Sequence, residues 1–324
     1  MTKKDLKIIF FGTPDFAVES LSRLVEGGYN IAAVVTMPDK PAGRGRQLQQ
    51  SDVKRYAVEH GLPVLQPVSL KDEAFIEQLR SYGAQLFIVI AFRMLPEVVW
   101  QMPPLGTFNL HASLLPRYRG AAPINWAVIN GETRTGVTTF FLDKDIDTGR
   151  VILQKPFDIP DTANAEYVYD GLMHLGAEIC LETLEKIIKA DGHPESIPQE
   201  DLMGNVRRLY DAPKLFKEVC EINWDRPSKR IYDFIRGLSP YPGAWTTLMG
   251  PDGKSVDLKI FKATKTEKNP GMRPGMIFVY KGVLYITTGD FLLQIDELQL
   301  AGKTRMKARD FLNGNKNIEN YIIK

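Results

Sequence analysis

The run Leu-Phe-Ile-Val-Ile-Ala at positions 86–91 constrains this chain more than any other stretch. It is far too short to cross a membrane, which takes ~20 residues. It also lacks the polar alternation of a strand with one wet face, and so suits a parallel strand buried on both faces. Lys7–Phe11 and Ile31–Thr36 repeat the pattern, and segments of helical spacing lie between these runs. Phe16–Glu26 puts Leu21 and Leu24 on one face and stops at Gly27-Gly28, and Ser51–His60 closes at Gly61. Lys71–Tyr82 carries Phe75, Ile76 and Leu79 on one side. Val64–Gln66, Gly106–His111, Thr135–Asp143 and Val151–Pro156 are expected to be further strands, and Pro123–Asn130 and Ala165–Lys189 further helices. This alternation predicts an α/β fold, a doubly wound open sheet with helices on both faces. Ligands of such sheets bind beyond the carboxyl ends of the strands.

The pattern changes after residue 190. The stretch DGHPESIPQEDLMG at 191–204 is polar and rich in Pro and Gly, so residues 191–208 are expected to be a linker. Beyond it, a helix is expected near Ser228–Gly237, then five short runs: Ala244–Met249, Val256–Ala263, Gly275–Tyr280, Val283–Thr288 and Phe291–Leu300. Lys281-Gly282 and Gly289-Asp290 mark tight turns between them. These runs predict a small antiparallel barrel of the oligonucleotide-binding type, followed by a helix at Ala308–Asn313. The 324 residues thus divide into a domain at 1–190, the linker, and a domain at 209–324. The net charge of +2 hides an asymmetry, because 209–324 holds 19 Lys+Arg against 13 Asp+Glu while 1–208 holds 22 against 26. On charge alone, a nucleic-acid-facing module and ordinary surface variation both remain open.

Several motifs bear on chemistry. After the first strand comes Gly12-Thr13-Pro14-Asp15-Phe16, with a single glycine where a dinucleotide site needs GxGxxG, so no nicotinamide cofactor is expected. Asn109 and His111 stand two apart on a strand and therefore on one face. An amide donor beside an imidazole suits acyl transfer, where an oxyanion needs donors and an amine must lose a proton. A hydrogen-bonded pair with a purely structural role fits the same spacing. Asp143, Asp145 and Asp147 resemble a calcium loop only in part, since Thr148 replaces the loop glycine and Gln154 the closing glutamate. No metal is expected. Asp147 is either the carboxylate that orients His111 or part of a solvated acidic turn. The loop Lys40–Gln47 carries Lys40, Arg44 and Arg46 among glycines, which suits phosphate contact or simple solubility. Arg117 and Arg119 add cations near the expected site. Lys303, Arg305, Lys307 and Arg309 alternate along one segment and could follow a phosphate backbone. The two cysteines, Cys180 and Cys220, form no CxxC or metal spacing, which fits a reducing, cytoplasmic setting. No segment is long and apolar enough for a signal core or membrane span.

Together these segments resemble one family over nearly the whole chain, the methionyl-tRNA formyltransferases. The resemblance rests on FGTPDFA, PDKPAGRGR, GLPVLQPVSL, NLHASLLPRYRGAAPINWAVINGE, DIDTG, SPYPGAW and LAGKTRM. It implies a Rossmann-like formyltransferase domain followed by the oligonucleotide-binding-like barrel. It implies Asn109, His111 and Asp147 as the catalytic trio, and Ser113, Leu114, Leu115 and Pro116 as the segment contacting 10-formyltetrahydrofolate. It further implies that the Lys40–Gln47 loop enters the acceptor stem of methionyl-initiator tRNA, and that the enzyme acts as a monomer. The sequence departs from the family pattern at Ala91-Phe92-Arg93-Met94-Leu95-Pro96, which is one residue short and has Arg93 where glycine is common. Ile146 also stands where leucine is usual.

Overall fold

The strand β1 (Lys7–Gly12) is an interior strand of the first sheet, and its core residues Ile8, Ile9, Phe10 and Phe11 are completely buried. Parallel to it run β2 (Asn30–Val35), β3 (Val64–Leu65), β4 (Leu86–Ile90) and β5 (Thr107–His111). Two further strands, β6 (Arg134–Phe141) and β7 (Val151–Asp158), complete the spatial order β7-β6-β5-β4-β1-β2-β3. The computed structural model describes residues 1–42, 47–204, 209–269 and 271–323. The chain divides into two compact units, Met1–Gly120 with Thr135–Asp158 and Tyr169–Asp211, and Ala121–Arg134 with Ile159–Val168 and Ala212–Lys324.

Two-sided burial explains why the strands read as unbroken apolar runs. One face of the sheet carries Ile9, Phe11, Ala33, Val35, Phe87 and Val89, packed with Phe75 and Leu79 of helix Glu73–Ser81. The alternate residues, Phe10, Val34, Ile88 and Leu110, are buried on the other face. Each such side chain contributes ~1.5–3 kcal/mol of transfer free energy. Two flanking helices begin on side-chain caps. Ser51 Oγ accepts from Lys54 N at 3.1 Å, and Asp72 Oδ1 accepts from Phe75 N at 3.0 Å. Gly12 is required by proximity, since a Cβ there would meet Ala17 Cβ at 2.7 Å, where helix Asp15–Glu26 turns back over the strand.

The sheet is mixed rather than wholly parallel. β6 runs antiparallel to β5, pairing Phe108 with Phe141 and His111 with Thr138. Its carboxyl end therefore points toward the amino end of β5, so the loop that follows must fold back to reach His111.

The stretch 191–204, read as a linker, is bound into the first unit. Ile197 and Val151 exchange backbone hydrogen bonds at 2.8 Å, Arg150 Nε donates to Ser196 Oγ at 3.0 Å, and Gln199 is only 1% exposed. Residues 205–208, the remainder of the expected linker, lie outside the described residues.

The second unit is built on an antiparallel sheet. Its spatial order is Ile277–Tyr280, Val283–Thr287, Leu292–Leu300, Ser255–Lys265, Ala244–Met249 and Ile322–Ile323. All five expected runs are strands. Along Ala244–Met249, buried Ala244, Thr246 and Leu248 alternate with half-buried Trp245, Thr247 and Met249. The helices Pro123–Ile129 and Ser228–Gly237 also meet within this unit, with Asn125 Nδ2 donating to Gly237 O at 2.8 Å. The cations Lys303, Arg305, Lys307 and Arg309 are all exposed, and Arg305 also pairs with Glu297 at 2.5 Å and lies over Phe261.

Candidate active site

β5 delivers Asn109 and His111 to the same face of the sheet, as their spacing of two dictates. His111 is 6% exposed, and its Nε2 lies 2.8 Å from the Tyr118 carbonyl. A carbonyl can only accept, so Nε2 is the donor in this contact and Nδ1 is the ring atom left for another partner. Asp147 Oδ2 stands 3.7 Å from Nδ1. That separation is too long for a hydrogen bond, so Nδ1 keeps its directional bond for another group. No hydrogen bond engages the Asn109 side chain among the described residues. The site therefore presents a half-buried amide donor, an imidazole with one nitrogen in reserve, and a carboxylate facing that nitrogen.

The Asp147 loop is held in its folded-back position by several contacts. Asp147 adopts φ 55°, in the left-handed region, and its Oδ2 accepts from Gly120 N at 2.9 Å. Gly149 rests so closely on β6 that a Cβ would fall 1.7 Å from the Phe141 carbonyl oxygen. Only glycine allows this approach, which explains the glycine of DIDTG. Thr148 Oγ1 donates to Asp143 Oδ1 at 2.6 Å, and Asp145 N donates to the same oxygen. Asp143 thus caps the turn.

The segment Ser113–Pro116 is fixed from below. Thr138 Oγ1 donates to Ser113 O at 2.6 Å, and Gln154 Nε2 donates to Leu115 O at 2.7 Å. Ser113 Oγ donates to Arg117 O, and Ser113, Leu115 and Pro116 are buried. Leu114 is half-buried. What this segment offers a ligand is mainly its backbone. Arg117 lies over the rings of Tyr118 and Tyr210, and Arg119 places its guanidinium on Gln199 Oε1.

At the departing segment 91–96, Arg93 Nη1 donates to Val68 O at 2.8 Å and Nη2 donates to Pro67 O. Burial pulls the guanidinium below its ordinary pKa. The side chain therefore pins the 67–68 turn, a role a glycine could not fill. Val68, Lys71, Arg93 and Met94 line an open groove of about 800 Å³ that none of Asn109, His111 or Asp147 lines.

The Lys40–Gln47 loop begins and ends as a hairpin, Lys40–Ala42 paired with Gln47–Gln49. Its base is clamped, with Asp39 accepting from Lys54 Nζ at 2.6 Å and from Gln66 Nε2 at 2.8 Å. Lys40 is exposed, while Arg44 and Arg46 lie outside the described residues. Sequence reasoning missed Asp39, Lys54, Gln66 and Gln199. The first three stand far apart in the chain, and Gln199 sits in a stretch whose composition signals only a loop.

Residues 6–184 match the formyl transferase family model, and residues 214–316 match the model of the formyl transferase C-terminal domain. The methionyl-tRNA formyltransferase of Parabacteroides distasonis is 57% identical over 325 residues, covering all of both chains. That of Bacteroides fragilis is 58% identical over 315 residues, covering 97% of this chain and 96% of the relative. Among solved structures, HypX from Aquifex aeolicus in complex with tetrahydrofolic acid matches with a TM-score of 0.64 at 18% identity. That match covers 96% of this chain, which spans about half (47%) of HypX and shares its fold. The chain belongs to the formyl transferase family, among the methionyl-tRNA formyltransferases.

Proposed function

We propose that the chain transfers the formyl group of 10-formyltetrahydrofolate to the α-amino group of methionyl-initiator tRNA. The observation that carries the reading is the uncommitted Asn109 amide beside a His111 nitrogen that faces Asp147 at 3.7 Å. As the amine nitrogen bonds to the formyl carbon, the carbonyl electron pair moves onto oxygen. The Asn109 Nδ2–H group is the donor for that oxygen, and such a donor contributes ~2.7–4 kcal/mol of barrier reduction. His111 takes or gives the migrating proton at Nδ1, since Nε2 is fixed by the Tyr118 carbonyl. Asp147 orients the ring and offsets the positive charge that appears on it. Breaking the bond from carbon to the folate nitrogen, with a proton supplied to that nitrogen, yields tetrahydrofolate and the formamide. No covalent bond to the enzyme is needed. The backbone of Ser113–Pro116, held by Thr138 and Gln154, supports the folate side of the reaction.

Lys40, Arg44 and Arg46 are assigned to the tRNA, a reading supported by the hairpin and its clamped base. The reaction is assigned to the cytoplasm and to a monomer. Two buried free thiols support the first assignment, and among the described residues no helix is long and apolar enough to cross a membrane. Sedimentation tests the second. The decisive experiment compares methionylated initiator tRNA, methionylated elongator tRNA and glycinamide ribonucleotide as acceptors with 10-formyltetrahydrofolate. Preference for the initiator is expected. Transfer only to the small amine would keep the trio and discard the tRNA assignment.

A further inference from the structure

We propose that Gln199 is a positioning residue of the formyl-transfer site, holding the Asp147 loop against the segment that fixes His111. The inference rests on the reading of Asn109, His111 and Asp147 given above. Gln199 is almost wholly buried, and both ends of its amide are engaged. Nε2 donates to the carbonyls of Asp147 and Gly149, both at 2.9 Å. Oε1 accepts from Arg119 Nε at 3.1 Å and from Nη2 at 2.6 Å. Arg119 lies between Tyr118, whose carbonyl faces His111 Nε2, and Gly120, whose N–H holds Asp147 Oδ2. One side chain thus ties together the two backbone segments that set the separation of His111 and Asp147.

The arrangement is specific to an amide. Two carbonyl oxygens need two N–H donors, and the guanidinium fork needs an acceptor on the same side chain. A carboxylate at 199 keeps the fork but sets an oxygen against both carbonyls. A thioether of similar length fills the space but leaves the carbonyls and the fork without this partner, and a half-satisfied buried network costs more than an apolar one. The clamp also acts where the backbone needs it, since Asp147 sits at φ 55° at the end of a loop that runs back over an antiparallel strand. Such conformations persist when their surroundings over-determine them.

The test uses the full chain with Gln199→Glu and, separately, Gln199→Met, assayed beside the unmodified protein with 10-formyltetrahydrofolate and methionylated initiator tRNA. The expected result is a fall in kcat of about tenfold or more with KM for both substrates within about twofold, in a variant whose circular dichroism matches the parent. In an Asp147→Asn background the same substitutions should cost less than about twofold, because the group they position is already disabled. Variants within about twofold of the parent in kcat, or losses fully additive with Asp147→Asn, would overturn the inference. A loss that only follows the fraction of folded protein would also overturn it. An unmodified chain that fails to formylate methionyl-tRNA fails the functional reading itself, a result distinct from an active parent with unaffected variants.

Discussion

Replacing Asp147 by Asn isolates the charge that faces His111. The amide is isosteric, tolerates the left-handed backbone at φ 55°, and can still accept from Gly120 N. What disappears is a unit charge 3.7 Å from His111 Nδ1. At an effective dielectric of about 20, its interaction with an imidazolium is worth about 4–5 kcal/mol. If relaxation and solvent at this partly covered carboxylate recover about half, about 2–3 kcal/mol is lost wherever the ring carries positive charge. At 1.36 kcal/mol per tenfold, kcat should fall roughly 30- to 150-fold. The assay is single-turnover formylation of methionylated initiator tRNA at saturating folate, with tRNA binding measured separately and expected to change little. A variant within about threefold of the parent rate would refute the reasoning, because no charge pairing of that size would then act in the transition state.

Other outcomes follow from the same geometry. Asn109→Ala should lower kcat about 10²–10³-fold with little change in KM, measured by steady-state formylation, since it removes the free donor. Asp39→Asn should resemble Arg44→Ala, raising KM for tRNA while folate affinity stays constant. The hydrogen bond from Lys54, and then that from Gln66, holds the Asp39 carboxyl below the usual carboxylate range. Its stabilising contribution is therefore full above the unfolded value of ~3.9 and is lost as pH falls through the lower folded one. The difference in Tm between parent and Asp39→Asn should accordingly be present at pH 7 and shrink in strongly acidic buffer. Iodoacetamide at mildly alkaline pH should leave activity intact and label both cysteines only after denaturation. Cys180 is fully buried with its thiol pushed up to about 12, and burial raises Cys220 as well.

Much of this architecture was legible because its physical signals are local. Apolar runs without alternation mark the parallel strands, and a spacing of two on a strand puts Asn109 and His111 on one face. The helices expected over Ser51–His60 and Lys71–Tyr82 begin at Asp52 and Glu73, each on a side-chain cap. The reversal of β6 was not legible, since a buried strand has the same composition in either direction. The clamp at Gln199 was hidden for a related reason. Its partners are carbonyl oxygens, which every residue possesses, and no spacing rule singles out the glutamine that reaches them. Arg93 departs from a glycine in the sequence, and its partners, the carbonyls of Pro67 and Val68, stand about 25 residues away where no local signal reports them. The segment Ser113–Pro116 is expected at the folate from its motif, whereas the burial of Ser113, Leu115 and Pro116 is a property of the fold that the motif does not reveal.

The folded-back acidic loop has a consequence for how the molecule is made. All three residues assigned to the chemistry have been synthesised once the ribosome reaches Asp147, but the side chain that secures the last of them arrives about fifty residues later, at Gln199. A nascent chain ending near residue 190 therefore carries the whole trio without this clamp. The same holds for engineered fusions, since a cut placed where the sequence composition suggests a domain end would sever the fastening from the loop it fastens. Grafts of this unit onto another module should keep the chain through at least Leu202, so that competence to fold the site travels with the residues assigned to the reaction.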